Sequence, residues 1–353
     1  MKKNVTSKKA LILLPIIVLL GVIAILLGNR NKTPITDTRF MLDTVVTITL
    51  YDSQDQNILN GVFDLCQQYE DLLSRTKESS EIYQFNHRTS DDPFTLSDET
   101  AELIEKGLSY SELSNGAFDI TIAPASSLWD FKTDSPQLPD QQELERAVKD
   151  IGYKNLHLDG NQLTSDDPNT QIDLGAIAKG FIADKLKEYL LEQGVHSAII
   201  NLGGNVLCVG KKPMPLSKRV LESIGVSFNS DSYNFNVGVQ KPFKSHNEVI
   251  GTLSIDDLSV VSSGIYERYF EIDGKLYHHI LNPKTGYPYE NGITAVTILS
   301  IESVDGDALS TISFALGLEE GKALIESLPN TYAVFITDDG TLHYTEGFQQ
   351  FLE

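Results

Sequence analysis

Short runs in which apolar and polar residues alternate recur along this chain, separated by longer runs with apolar positions at helical spacing. Residues 260–288, VVSSGIYERYFEIDGKLYHHILNPKTGYP, are the densest example. YFEI and KLYHHI alternate on either side of Asp273-Gly274, which predicts a β-hairpin closed by a tight primed turn. The two-residue period puts His278 on one strand face with Leu276 and Ile280, and His279 on the other with Tyr277. Only one histidine therefore reaches solvent. In the NPKTGYP run that follows, two prolines and a glycine force the backbone out of the sheet into an ordered turn. An imidazole at a strand end beside a rigid loop is a candidate for catalysis.

The same patterns predict the remaining elements. A strand is expected at about 39–51, then a helix at about 56–75 with Leu59, Val62, Cys66, Tyr69 and Leu73 on its buried face. Glu70, Ser74, Ser80 and Asn86 form a polar exit whose ordinary role is capping and turn formation. Ser97 N-caps a helix that stops at Asn115-Gly116. GAFDITIAPASSLWDF follows, holding Asp119 and the lone Trp129 between apolar neighbours. Pro139, Asp140 and Glu143 open a helix that runs to Gly152, and LHLDGNQLT is a hairpin turning at Asp159-Gly160. QIDLGAIAKGFIADKLKEYLLEQG reads as a strand passing through a glycine turn into a helix ending at Gly194. Its helix-start amides suit an anion, although the spacing is not that of a Walker loop. AIINLGGNVLCVG is expected as one strand in which Gly203-Gly204 permits a close approach to the backbone. GITAVTILS is a strand, and SVDGDALSTISFALG begins a helix with Asp307 and Thr311 on one face, a pair that by itself stabilises a first turn. A helix at about 319–327 and a hairpin through Asp338, Asp339 and Gly340 complete the chain.

No internal repeat or interdomain linker breaks this series, and 353 residues with 41% apolar content can build a substantial core. The expected fold class is α+β: a single catalytic domain over 38–353, with mixed helices and a largely antiparallel sheet, preceded by one transmembrane helix. That helix is 11–28, LILLPIIVLLGVIAILLG, about 27 Å long against a hydrocarbon core of about 30 Å. Lys2, Lys3, Lys8 and Lys9 keep residues 1–10 cytoplasmic and place the rest outside the cell membrane, with 29–37 as linker. The length and the lack of a small-x-small site favour an uncleaved anchor over a cleaved signal peptide. A formal charge of −21 argues against nucleic acid as a partner. The densest positive cluster, Lys211, Lys212, Lys218 and Arg219, lies in a stretch (211–235) read as a loop or extra hairpin, and is an ordinary solvated face. Cys66 and Cys208, each in an apolar context, are expected as buried thiols.

Taken in order, GAFD (116–119), IDLGAIAKG (172–180), NLGGNV (201–206), SSGIYERYF (262–270), HHILNPKTG (278–286) and DALST (307–311) resemble the blocks of the FAD:protein FMN transferases, the ApbE-type flavin transferases. The resemblance implies transfer of the FMN half of FAD onto a Thr or Ser hydroxyl of another protein, with release of AMP. It implies Mg²⁺ as cofactor, held by Asp307, Thr311 and the Ala176 carbonyl, although Ser310 stands where some members carry a second aspartate. FAD contacts are implied for Leu42, Ala117, Phe118, Asp119, Asp173, Lys179 and Ile280. His279 becomes the general base. From the residues alone, a histidine satisfying a backbone carbonyl in the turn is the better reading of His279, and the resemblance reverses that order, with His278 the next suspect. The implied partner is a flavoprotein acceptor with a Ser/Thr-Gly-Ala-Ser/Thr motif, and no such motif occurs in this chain. Two rivals keep the same residues: an FAD pyrophosphatase yielding FMN and AMP, and a non-catalytic FAD carrier.

Overall fold

The computed structural model describes residues 33–133, 135–213, 233–243 and 248–353. The predicted transmembrane segment 11–28, together with Lys218 and Arg219, lies outside these residues. Among the described residues no helix is long and apolar enough to cross a membrane.

The chain opens with β1 (Ile35–Met41), which begins inside the stretch read as linker, and turns directly into β2 (Thr44–Leu50). The single strand expected at 39–51 is therefore a hairpin. Leu42 and Asp43 both take positive φ (53° and 60°), as a primed two-residue turn requires. Leu-Asp lacks the Asn-Gly or Asp-Gly signal, so the turn was hidden inside a continuous alternation. Next come α1 (Gln56–Leu73), α2 (Glu81–Asn86), β3 (Phe94–Thr95), α3 (Asp98–Leu113), α4 (Ala123–Ser126) and α5 (Gln141–Ala147). Asp55, Ser80, Ser97 and Asp140 cap four of these helices by accepting first-turn N–H bonds. The hairpin of β4 (Leu156–Asp159) and β5 (Gln162–Ser165) turns at Gly160-Asn161, one residue later than expected.

The IDLG segment forms no strand. Its ladder partner is a side chain: Ile172 N–H donates to Asn86 Oδ1 (2.7 Å), and Asn86 Nδ2 donates to the Ile172 carbonyl (2.8 Å). After it, α6 (Ala178–Glu192) leads into β6 (Ser197–Leu202) and β7 (Asn205–Gly210). These two form another hairpin where one strand was expected, because Gly203 and Gly204 both adopt positive φ. A β-carbon on Gly203 would overlap the Thr44 side chain, so the close approach read from the sequence is made by the chain itself. The remaining elements are β8 (Phe235–Gln240), β9 (Val249–Ile255), β10 (Ser259–Gly264), β11 (Tyr269–Ile272), β12 (Lys275–His278), β13 (Ile293–Ser300), α7 (Ser303–Ser327), β14 (Tyr332–Thr337) and β15 (Leu342–Tyr344). β11 and β12 meet at Asp273-Gly274 with both residues at positive φ, as predicted. α7 breaks at Gly317 (φ 79°, ψ −175°), which gives the two expected helices.

An eight-stranded sheet, in the order β1-β2-β6-β7-β10-β13-β14-β15, is the frame, and its pairings are antiparallel. One face carries Ile48, Ile200, Val296 and Ile298 against α1, α6 and α7, through Phe63, Cys66, Phe181, Leu186, Ala308 and Ile312. The other carries Cys208, Val260, Leu299 and Val334 against the β8–β9 pair and Phe348. β13, covered on both faces, is buried at every position. Both cysteines are buried and free, and burial pushes each thiol up to about 12. A third cluster, Trp129, Leu144, Phe270, Tyr277 and Leu281, clamps the β11–β12 hairpin to α4 and α5, with Trp129 Nε1 bonded to the Gly286 carbonyl (2.9 Å). This explains why Tyr277 is buried beside an equally buried His278, where alternation alone would expose one of them.

Candidate active site

The β11–β12 hairpin presents its histidines in different chemical states. His278 is buried, donates from Nε2 to the Tyr289 carbonyl (3.0 Å) and accepts the Ile280 N–H at Nδ1 (3.3 Å). Both ring nitrogens are spent, and the Phe314 ring packs edge-on against it at 5.5 Å. His279 lies just past the strand end, partly open to water. Its backbone N–H (3.2 Å) and its Nδ1 (3.3 Å) both reach the Arg268 carbonyl. Because a carbonyl only accepts, Nδ1 carries the proton and Nε2 keeps its lone pair. The carbonyl bond expected from the residues alone is therefore present, and it leaves Nε2 without its proton. Desolvation pushes the His279 imidazole well below its ordinary value, and Arg268, His278 and Lys179 push the same way. It is neutral at ordinary pH.

A second group forms where α6 and α7 meet. Asp307 is buried on α7 and accepts the Gly180 N–H at Oδ2 (2.9 Å), while Lys179 Nζ stands 3.7 Å from Oδ1. One turn on, Ser263 Oγ of β10 lies 2.7 Å from Ser310 Oγ and 3.3 Å from Thr311 Oγ1, and Ser310 Oγ donates to the Asp307 carbonyl (2.9 Å). Ala176 sits in the turn that opens α6, which Ala178 N–H closes onto the Leu174 carbonyl (2.8 Å). Among the described residues no group of three or more His, Cys, Asp and Glu is arranged to hold a metal. The expected set is of another kind: one carboxylate, hydroxyls and a carbonyl. Such hard oxygen donors fit Mg²⁺ that shares its shell with phosphate.

The other residues expected to contact FAD each have partners within the fold. Leu42 occupies the β1–β2 turn, not a strand, and its N–H donates to Glu70 Oε2 (3.3 Å). The Ala117 carbonyl accepts the Tyr289 hydroxyl (2.9 Å), which ties GAFD to the loop after the histidines. Phe118 and Ile280 are buried in the main core. Asp119 takes the Thr121 N–H (2.8 Å) and hydroxyl (2.6 Å) on one oxygen and the Tyr153 N–H (3.0 Å) on the other. Burial pushes its carboxyl up and these three bonds oppose the rise. Asp173 accepts the Gly175 N–H (2.9 Å) on Oδ1, and Ser126 Oγ (3.0 Å) and Arg75 Nε (3.3 Å) on Oδ2. Both aspartates therefore fix turns through their side chains.

Sequence reasoning passed over several residues that the fold brings here. Arg268 orients His279 through its carbonyl, a pairing that the register of the predicted Asp273-Gly274 hairpin already implies, and Arg75 holds Asp173 across a separation too large to read from the sequence. Glu267 has an exposed side chain. Desolvation pushes its carboxyl up to about 7, with Asp307 adding to the rise and Lys179 and Arg268 opposing it. Lys179 pairs with Asp307 at 3.7 Å, and its charge also reaches Glu267 and His279.

A neutral imidazole, a lysine, a carboxylate and hydroxyls are groups suited to moving a phosphoryl group, and the comparisons with known proteins agree on the class. The FAD:protein FMN transferase of Klebsiella pneumoniae is 35% identical over 299 residues, covering 84% of this chain and 87% of the relative. That of Treponema pallidum is 33% identical over 332 residues, covering 91% and 89%. Among solved structures, the flavin transferase ApbE from Vibrio cholerae superposes with a TM-score of 0.76 at 25% identity, covering 90% of this chain and 99% of that one. The ApbE protein from Thermotoga maritima gives 0.78 at 29% identity, covering 91% and 100%. The fold is that of the flavin transferase class of enzymes. The sequence model of the ApbE family matches residues 42–336, and the chain belongs to that family.

Proposed function

We propose that this chain transfers the FMN moiety of FAD to a Ser or Thr hydroxyl of a second protein, at the cleft between His279 and the α6–α7 junction. The observation that carries this reading is the state of His279: Nδ1 is held by the Arg268 carbonyl, so Nε2 is free to accept a proton. The acceptor hydroxyl gives its proton to Nε2 as its oxygen bonds to the phosphorus of the FMN phosphate. The P–O bond to the AMP phosphate breaks, and AMP leaves with the electron pair. Lys179 offsets the negative charge of the diphosphate. Asp307, Thr311 and the Ala176 carbonyl would hold Mg²⁺, which supplies further positive charge to the diphosphate when bound. The arrangement gains mainly by positioning the groups and neutralising charge.

The apolar segment 11–28, with four lysines before it, supports a membrane-anchored enzyme acting on exported or membrane-bound flavoproteins outside the cytoplasm. Mixing the full chain in detergent with FAD, Mg²⁺ and a carrier protein bearing a Ser-Gly-Ala-Thr segment tests the chemistry. AMP together with an FMN-sized mass increase on the carrier is the expected result. AMP with free FMN would replace transfer by hydrolysis, and bound FAD with no AMP would make the chain a carrier.

A further inference from the structure

Three hydroxyls meet where β10 lies beside α7. Ser263 Oγ is 2.7 Å from Ser310 Oγ and 3.3 Å from Thr311 Oγ1, and Ser310 Oγ is 2.9 Å from the Asp307 carbonyl. Ser310 is fully buried, whereas Ser263 and Thr311 are half-buried. A hydroxyl has one proton to donate and two lone pairs that accept, and a carbonyl only accepts. Those counts fix the direction of each bond in the chain. Ser310 spends its proton on the Asp307 carbonyl, so the 2.7 Å contact is donated by Ser263. Ser263 then has no second proton, and the 3.3 Å contact is donated by Thr311.

The consequence falls on Thr311. A helical threonine ordinarily turns its hydroxyl to the carbonyl four residues back, which here is the Asp307 carbonyl that Ser310 already takes. Ser263 offers another acceptor, from a different element and 48 positions away. The ladder of β10 with β13, in which Ser263 faces Val296, holds that acceptor in place. With its proton drawn towards β10, Thr311 Oγ1 has only lone pairs left to offer, one helical turn from the Asp307 carboxylate. A hard cation requires that polarity, because a hydroxyl turned the other way would direct its proton at the metal.

We propose that Ser263 is a positioning residue for the cation site, holding Thr311 so that its oxygen, and not its proton, is available to a divalent cation. The proposal rests on the Mg²⁺ reading of Asp307, Thr311 and the Ala176 carbonyl, and adds to it a β10 residue that acts through Thr311. Calorimetric titration of MgCl₂ into the full chain in detergent, saturated with FAD and without acceptor, tests it on wild type, Ser263→Ala and Ser263→Thr. Ser263→Ala should raise the Kd for Mg²⁺ by on the order of tenfold, the lower end of what losing a ligand's orienting partner costs. Its AMP release with a Ser-Gly-Ala-Thr carrier should recover as Mg²⁺ is raised. Ser263→Thr keeps the hydroxyl on a side chain that suits a strand, and should keep the wild-type Kd. An unchanged Kd in Ser263→Ala, even with a lower melting temperature, overturns the positioning role, as does the same weakening in both variants. A wild-type chain that takes up no Mg²⁺ overturns it together with the metal site. The carrier assay on the wild type separates these results from the transfer reading. An FMN adduct beside an unchanged Kd in Ser263→Ala leaves transfer standing and removes the role of Ser263. A weakened Kd in Ser263→Ala alone, with no adduct from the wild type, overturns transfer and upholds the orientation of Thr311.

Discussion

His278 and His279 are adjacent in sequence, and hydrogen bonding alone separates their chemistry. His278 has no lone pair to offer, since Nδ1 accepts from Ile280 and Nε2 donates to Tyr289. Replacing His279 by Ala should lower transfer by about 10²–10⁴-fold, the usual worth of a positioned base, with FAD binding retained. His278→Ala should act through stability, because it removes two satisfied bonds and a ring packed on Phe314. Normal transfer by His279→Ala would transfer the role to another residue. The pH profile is a second check. His279 acts as the unprotonated form and its pKa is depressed from 6.5, so this step should hold its rate as pH falls through about 6.5 and decline only well below it. A loss centred near 6.5 in the single-turnover rate would contradict the burial argument. For Asp307 the carboxylate's two oxygens do different things, and Asp307→Asn separates them. The amide oxygen can still accept the Gly180 N–H, so folding should be retained while Mg²⁺-stimulated turnover is lost. Thermal denaturation and Mg²⁺ titration of the same variant would read the two effects apart.

Elements were legible where the local code is self-contained. The caps at Ser97 and Asp140, the Asp273-Gly274 turn and the break at Gly317 all rest on residues within a few positions of one another. It failed at Leu42-Asp43 and at Gly203-Gly204, where apolar alternation continues through the turn and two strands look like one. It failed again at IDLG, whose backbone is satisfied by a distant Asn86. The junction of α6 with α7 is the most consequential of these long-range devices. Glu302 provides no side-chain cap for α7, and Asp184 of α6 takes its place, with Oδ1 and Oδ2 each 2.8 Å from the N–H groups of Ser303 and Val304. Asp184→Ala should cost about 1–2 kcal/mol, the size of a lost N-cap. Burial pushes the Asp184 carboxyl up to about 7, with Glu302 and Asp305 adding to the rise against the two backbone bonds. A folded-state value above the unfolded one near 3.9 means the unfolded chain gives up this proton more readily. The contribution to stability is complete below about pH 4 and is lost as pH rises towards 7. Melting temperatures of wild type and Asp184→Asn, compared at pH 5 and pH 7.5, should show the fall with rising pH reduced in the variant. Gly180 marks how tight this junction is: a β-carbon there would sit 2.6 Å from Val304 Cα, so Gly180→Ala should part the helices and take the Gly180 amide away from Asp307.

At the scale of the whole molecule the α+β class and the antiparallel sheet were readable from the sequence, because strand and helix periodicities are strong. The way distant segments are joined near His279 was not. Asp43 of the β1–β2 turn binds both Lys132, beyond Trp129, and Arg268, at the start of the β11–β12 hairpin. Three segments separated by many residues converge on one carboxylate, and only folding brings them together. These side chains are 46–62% exposed, so the pairs contribute little to stability, about 0–1 kcal/mol each in water. Their effect is geometric, since the Arg268 they restrain is the residue whose carbonyl fixes the His279 tautomer. Asp43→Ala should therefore leave the melting temperature nearly unchanged and lower the transfer rate at saturating FAD and acceptor. Arg268→Ala should behave alike, because the carbonyl persists but loses its restraint. The double variant should be little worse than either single one, which is the signature of residues acting through one link. High salt should lower the wild-type rate and leave the Asp43→Ala rate nearly constant, since screening weakens an exposed pair and has nothing to weaken once the pair is gone. Additive losses from the two substitutions, or the same salt response in wild type and variant, would show that Asp43 and Arg268 contribute separately and that His279 is held by its own turn alone.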